Sequence, residues 1–444
     1  MSAEASPDSD ATDPTRASWA ARFGAAALVL SIFNGTADGA FLGIPIGRIA
    51  LVAFVVALAM ELVRGRRVQV TILGLVLLAQ AAWVAISAAA SGTLTESLGF
   101  FGFVDEILMP AIMFLVAPVA FSSPADRALL IKAITVAMIG VSLITVAQSL
   151  GLTALLPGYL STGVQSGIVQ RGTGPSLQVA ANGATLAMSA GVAIVLLRNS
   201  VGRWRIAAWL GLIGLSVGCF LTLTRSVWLA WIAAIITFAI FDARARKAVL
   251  AAAVPLVAAA LAAAAFIPAL GSAVDERLTT VRSLYDRTNT NAAAVKMLEE
   301  NAVTGVGWRR FLPEVDNYVR QLDLAPLTSV HIPAHNVLLA RGAELGLVGL
   351  ALFVAALLLG PVRVLVLSAP TGDRQWRAIA AAAFAAWFCV AMSTPMGYTF
   401  PNYFLWLSTG LALTAARSTS IGGRSTSGTA LPTAFQRRRL PSAG

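Results

Sequence analysis

Long apolar runs joined by short polar loops make up most of the chain, and one extended polar stretch, from about Gly271 to Gly349, interrupts them. A helix needs about 20 predominantly apolar residues to cross roughly 30 Å of hydrocarbon. Runs of that kind fall at 21–38, 43–63, 69–89, 104–122, 127–149 and 176–197, then at 204–224, 226–243, 247–268, 336–360, 377–395 and 400–416. The pattern predicts an all-α polytopic membrane protein of about 12 transmembrane helices with a long, partly helical loop at 269–335. Within that loop NTNAAAVKMLEEN has helical periodicity, with Asn289 or Asn291 as its cap, and Pro313 to Leu324 suits a short interfacial helix.

Composition agrees with the pattern: of 444 residues 57% are hydrophobic and 12% charged, against roughly 25% charged in a soluble domain. The net charge of +11 would suggest nucleic acid in a soluble protein, but here the basic residues sit in short loops, where membrane orientation requires them. Arg64, Arg66 and Arg67, then Arg198, Arg203 and Arg205, then Arg363, Arg374 and Arg377 follow alternate runs, whereas the intervening loops are poor in Lys and Arg. This parity predicts a multi-pass protein of the cytoplasmic (inner) membrane with both termini cytoplasmic, and it leaves no role for nucleic acid. Loop 269–335 is then extracytoplasmic; its seven Lys/Arg against eight Asp/Glu do not conflict, because long translocated loops escape the rule. The expected organisation is a disordered cytoplasmic tail at 1–20, nine spans in 21–268, the loop domain, three spans in 336–416, and a disordered basic tail at 417–444 with affinity for membrane lipids. Cys219 and Cys389 lie in apolar runs and read as small buried hydrophobes. No internal repeat supports an inverted-repeat transporter.

Ionisable residues next to apolar runs carry the candidate chemistry. Asp105 and Glu106, near the start of the fourth run, suit a water-facing headgroup position or, less directly, a proton relay. Arg171 precedes Gly172, Gly174 and Pro175, and its planar guanidinium suits phosphate. Asn182 follows one to two turns into the next helix, placed for a polar ligand or for an interhelical hydrogen bond. Arg225 either snorkels to the interface or joins Arg171 as a two-arginine clamp for a diphosphate. Trp308, Phe311 and Tyr318 suit surface anchoring or stacking on sugar rings.

Both histidines lie in HIPAHNVLLARGAELGLVGL. Pro333 places His331 before the helix, which argues against a metal-binding pair, and no Cys or HExxH pattern accompanies them. No metal or other cofactor is expected. His335, at the mouth of the bundle, is the best general-base candidate. Nine residues along a regular helix put Glu344 about 13 Å from it, so Glu344 is expected to pair with an arginine such as Arg341 or to shape the pocket. Gly342, Gly346 and Gly349 read as a small-residue face for helix packing.

Four of these passages together resemble the O-antigen ligase/polymerase-like family of membrane proteins: Arg171 with the Gly/Pro approach to Asn182, the TLTRS turn with Arg225, YDRTNTNAAAVKMLEENAVTGVGW, and AHNVLLARGAELGLVG. The resemblance covers roughly 165 to 415, with His335, Asn336, Glu344 and Gly346 in the places of the family pattern. The turn reads Thr224, Arg225, Ser226, where the family usually has the serine before the arginine. The resemblance implies a metal-independent membrane glycosyltransferase of the ligase or polymerase type, similar to the polytopic membrane glycosyltransferase class. It would move a polyprenyl-diphosphate-linked glycan to a hydroxyl of a glycan, lipid or protein acceptor. It implies His335 and Arg287 as catalytic residues, Arg171 and Arg225 on the donor diphosphate, and Asn182, Asn336, Glu344, Arg341, Arg309 and Trp308 in support. A flippase or transporter, or a non-catalytic component of a polysaccharide assembly system, are the competing readings.

Overall fold

The computed structural model describes residues 16–33, 40–41, 44–161, 170–280, 282–322, 326, 329, 331–366 and 374–422. Of the disordered tails expected at 1–20 and 417–444, residues 1–15 and 423–444 lie outside these residues, whereas 19–20 and 417–422 are helical. The helices, in chain order, are α1 (Trp19–Leu30), α2 (Ile46–Val63), α3 (Ile72–Ala90), α4 (Ser97–Ala120), α5 (Pro124–Ser149), α6 (Val179–Asn199), α7 (Arg203–Leu221) and α8 (Arg225–Phe241). They continue with α9 (Arg246–Phe266), α10 (Pro268–Thr279), α11 (Arg282–Glu300), α12 (Phe311–Tyr318), α13 (Val337–Val366), α14 (Arg374–Ala391) and α15 (Thr399–Gly422). Short capping signals start several of them: Ser18 and Thr71 accept from Ala21 N and Gly74 N, and Ser123 forms a capping box with Asp126 ahead of Pro124. Asp126 also accepts from Ser18 N at 2.8 Å, which ties the starts of α1 and α5 together.

The expectation of twelve spans is corrected. Among the described residues seven helices are long and apolar enough to cross a membrane, α2 to α7 and α13, or eight if a bent pair counts as one span. The described part of the run at 21–38, to Phe33, forms a 12-residue helix from Trp19 and a short 3-10 turn, and α8 has 17 residues. The run at 247–268 ends where Pro268 cannot continue the helix; the chain bends by 103° there, so Leu256–Phe266 and Pro268–Glu300 make at most one broken span. Helices α14 and α15 pack in the bundle but do not join that set, α14 carrying Arg374 and Arg377 at its start. The long loop, expected to be partly helical, is mostly helical, built from α10, α11 and α12. The cap expectation inside it is corrected too: α11 starts at Arg282, so Asn289 and Asn291 lie within the helix and use their side chains elsewhere.

Burial divides the helices by their solvent. Helix α6 is 94% buried and forms the centre of the bundle, packed on α8, α14 and α7, whereas α2 is only 22% buried. Val52, Val56, Leu75 and Leu143 are exposed on outer faces, where hydrocarbon rather than water is the solvent and apolar exposure carries no penalty. Glycines allow the closest approaches: a Cβ at Gly183 would stand 2.3 Å from Val227 Cγ2, and one at Gly410 would stand 2.6 Å from Phe114 O.

Two irregularities bring the polar loop to the bundle. In α4, Met109 N–H reaches Val104 O across a π turn, which contains Asp105 and Glu106. In α13, Gly346 adopts φ 67°, ψ −170°, and the helix breaks. The backbone groups freed there are taken up: Val306 N donates to Ala343 O, Gly307 N to Glu344 O, Trp83 Nε1 to Leu345 O, and Leu347 N to Ala302 O. Gly346 is therefore a backbone hinge point that docks the 302–307 segment, which corrects its reading as part of a packing face. A Cβ there would lie 2.2 Å from Val303 O.

Candidate functional site

A cavity of about 500 Å³ opens at the end of the bundle where the polar loop meets it. Three segments remote in sequence supply its charges. The first is the approach to α6. A Cβ on Gly172 would meet Thr145 Cγ2 at 2.3 Å, so only glycine allows this backbone so close to α5. Arg171 Nε then donates to Thr222 O at 3.1 Å and Nη2 to Thr224 Oγ1 at 2.7 Å. Arg171 and the TLTRS turn are thus one structural unit. Burial, aided by the nearby Arg277 and Arg287, lowers Arg171 to about 10, which leaves it cationic at neutral pH.

Asn182 organises this unit from below and does not line the cavity. Its Nδ2 donates to Thr145 Oγ1 at 2.9 Å and to Gly172 O at 3.2 Å, which is the interhelical alternative. Arg225 is not among the lining residues either. Its guanidinium donates to the carbonyls of Arg277 and Thr280, holding the α10 end against the turn.

The second segment is α11, which presents Arg287 and, one turn on, Asn291. Arg287 lines the cavity and has no carboxylate partner among the described residues. Asn291 Oδ1 accepts from His335 N at 3.0 Å, Asn289 Oδ1 from Leu322 N and Asp286 Oδ1 from Ser329 N, so α11 carries the returning chain on its side chains. His335 is thereby held at the cavity wall just before α13, where Asn336 caps the helix by accepting from Leu338 N and Leu339 N. Burial, and then the charge of Arg287, push the imidazole down to about 4, so it is neutral near pH 7. Its Nδ1 is buried with no hydrogen-bond partner among the described residues. His331 lies elsewhere, exposed and 3.4 Å from Asp316.

The third group forms one wall. Glu106, its side chain 4% exposed, accepts from Arg309 Nη2 on one oxygen and from Arg341 Nη2 on the other. Arg341 Nη1 lies 3.8 Å from Glu344, the pairing expected from the sequence. Asp105 takes a different pair, Arg48 Nη2 at 3.2 Å and Tyr403 OH at 3.0 Å. Neither carboxylate faces open water, which corrects the headgroup expectation. Trp308 is fully buried, donates from Nε1 to Gly99 O, and lies beneath the guanidinium groups of Arg341 and Arg309. It neither anchors to the membrane surface nor offers a face to a sugar.

The cavity therefore gathers Arg171, Arg287, His335, Arg309, Arg341 and Glu344 of the expected residues, together with Glu106. Four arginines stand against two glutamates, a surplus of two positive charges. Tyr398, Gln178 and Thr394 also line it; none had a signal in the sequence, since Gln178 and Thr394 fall inside the ends of predicted apolar runs and Tyr398 in the loop between the last two. Burial raises the Tyr398 hydroxyl above its usual range, keeping it a donor at neutral pH. No group of three His, Cys, Asp or Glu able to hold a metal occurs among the described residues.

A comparison with curated proteins finds no match. Residues 210–354, about a third of the chain, match the family described as O-antigen ligase; the stretch runs from within α7 to within α13, and the chain is thus similar to that family over the Arg225 turn, Arg287 and His335.

Proposed function

We propose that the protein is a membrane glycosyltransferase that moves a glycan from a polyprenyl-diphosphate carrier to an acceptor hydroxyl, as a ligase or a polymerase. The observation that carries this reading is one cavity in which a neutral imidazole stands beside arginines with a surplus of two positive charges. The two negative charges of the donor's diphosphate match that surplus, and guanidinium groups stabilise the further charge that develops as it departs without needing to reorganise. Arg171 and Arg287 hold the diphosphate, while Glu106 uses up much of the charge of Arg309 and Arg341 and leaves them to shape the wall. Arg225 supports the site by fixing α10 rather than by touching the donor.

In the reaction the acceptor oxygen bonds to the anomeric carbon as the bond from that carbon to the diphosphate oxygen breaks. The hydroxyl proton passes to His335, and polyprenyl diphosphate departs with the bonding electrons. A bound diphosphate offsets the Arg287 charge that depresses His335, so donor binding makes the imidazole a stronger base when the acceptor arrives. The cavity end, with loop 269–335, is assigned to the extracytoplasmic face of the cytoplasmic membrane and both termini to the cytoplasm.

Replacing His335 by alanine, in protein shown to insert and fold, is expected to slow transfer from a lipid-linked donor by about 100-fold or more. Undiminished transfer would remove the histidine from the chemistry and favour a non-catalytic role in polysaccharide assembly. Lipid-linked glycan crossing the bilayer without any transfer would instead identify a flippase.

A further inference from the structure

A second cavity, of about 460 Å³, lies at the other end of the bundle. Helix α13 connects the two: Arg341 and Glu344 line the first, Leu359 and Arg363 the second. From the break at Gly346 to Arg363 the helix rises over 17 residues, about 25 Å at 1.5 Å per residue, most of the roughly 30 Å thickness of the hydrocarbon core. The second cavity is therefore at the opposite membrane interface, remote from the cavity assigned to transfer.

Its chemistry is divided by depth. Arg66, Arg67 and Arg363 stand at the rim, with Gln69 and Thr71. Leu73, Phe114, Leu115, Pro118, Val119 and Leu413 form the wall. Arg67 and Arg363 are exposed and have no side-chain partner among the described residues, while Arg66 donates to Ser122 Oγ at 3.2 Å and lies 4.0 Å from Glu61. Fixed cations over an apolar trough suit a phosphate attached to acyl chains.

We propose that this cavity is a binding site for an anionic phospholipid, with the phosphate on Arg66, Arg67 and Arg363 and an acyl chain along Phe114, Leu115 and Leu413. Two segments of the chain could compete for it. The C-terminal stretch carries Arg424, Arg437, Arg438 and Arg439, and like charge excludes it. The N-terminal 1–15 stretch is acidic but, apart from Met1, has no large apolar side chain to fill the trough.

The test is native mass spectrometry of the full chain exchanged into phosphatidylglycerol or phosphatidylcholine at equal amounts. Phosphatidylglycerol should be retained at least about five-fold more, and the triple variant R66Q/R67Q/R363Q should erase the difference. The variant R66K/R67K/R363K, with the same charge, should keep most of it, which separates loss of binding from loss of fold. Equal retention of the two lipids by the unaltered protein overturns the proposal. So does an unchanged preference in the glutamine variant. Displacement of the lipid by millimolar inorganic phosphate would mark a free-phosphate site, and displacement by a synthetic 1–15 peptide would assign the cavity to the tail; either result overturns the lipid assignment.

Discussion

At His335 two influences act on one imidazole: removal from water, and the Arg287 guanidinium on the facing helix α11. Both disfavour the charged ring, so its pKa falls from 6.5 to about 4. Between these values the folded protein keeps a neutral His335 while an unfolded chain would protonate it, so this residue lowers stability as pH falls from 6.5 towards 4. Transfer that depends on the neutral imidazole should persist at pH 5 and fail near pH 4, and R287Q should move that acid limb upward. The acid limb of kcat/KM for the donor, which reports the donor-free enzyme, reads it; a limb at 6.5 in the unaltered protein would contradict the arrangement. Glu106 offers a second residue-level prediction. It is the shared acceptor of Arg309 and Arg341, and Arg341 is only 6% exposed. E106Q leaves that buried cation only the more distant Glu344, at 3.8 Å, and should destabilise the protein by about 3 kcal/mol, the Arg309 share being screened because its side chain is 39% exposed. Thermal unfolding in detergent would measure the loss, and R341M added to E106Q should recover part of it.

Among the elements, the broken helix α13 does most to assemble the site. Its first turns, capped by Asn336, carry Arg341 and Glu344, and the break at Gly346 opens carbonyls to which the 302–307 segment is bonded. That segment leads straight into Trp308 and Arg309, so the hinge fixes where Arg309 meets Glu106. A side chain at 346 requires both a positive φ and room that Val303 O occupies. G346A should therefore cost about 2–3 kcal/mol and depress transfer, whereas G140A, whose Cβ meets nothing within 4 Å, should leave both unchanged. Unfolding midpoints of the two variants measured side by side check this. The π turn in α4 has a comparable role, because Asp105 and Glu106, adjacent in sequence, serve separate ion clusters.

For the whole molecule, the charged cavity and the Arg66–Arg67–Arg363 cavity lie at opposite ends of one bundle. The assigned orientation predicts that, in a background lacking Cys389, E300C reacts with a membrane-impermeant maleimide in intact cells and R67C reacts only after permeabilisation. The reverse labelling would invert the topology and remove the donor cavity from the outer leaflet. Apolar periodicity and composition determined by themselves that this is an all-α, multi-pass membrane protein with a long polar loop, because a chain in hydrocarbon has to satisfy its backbone within helices. Arg171, His335 and the Arg341–Glu344 pair stood out as ionisable groups beside apolar runs, whereas Arg287 was singled out only through the family resemblance. The number of full spans was not legible, because hydropathy reports apolar content whereas helix length depends on where proline and loop packing stop the helix, as at Pro268. Nor could the sequence show Glu106 bridging Arg309 and Arg341, Arg225 turned onto backbone carbonyls, or Trp308 sealed inside. Those pairings join residues about 50 to 235 positions apart, and only the packing of the helices decides which distant charges meet.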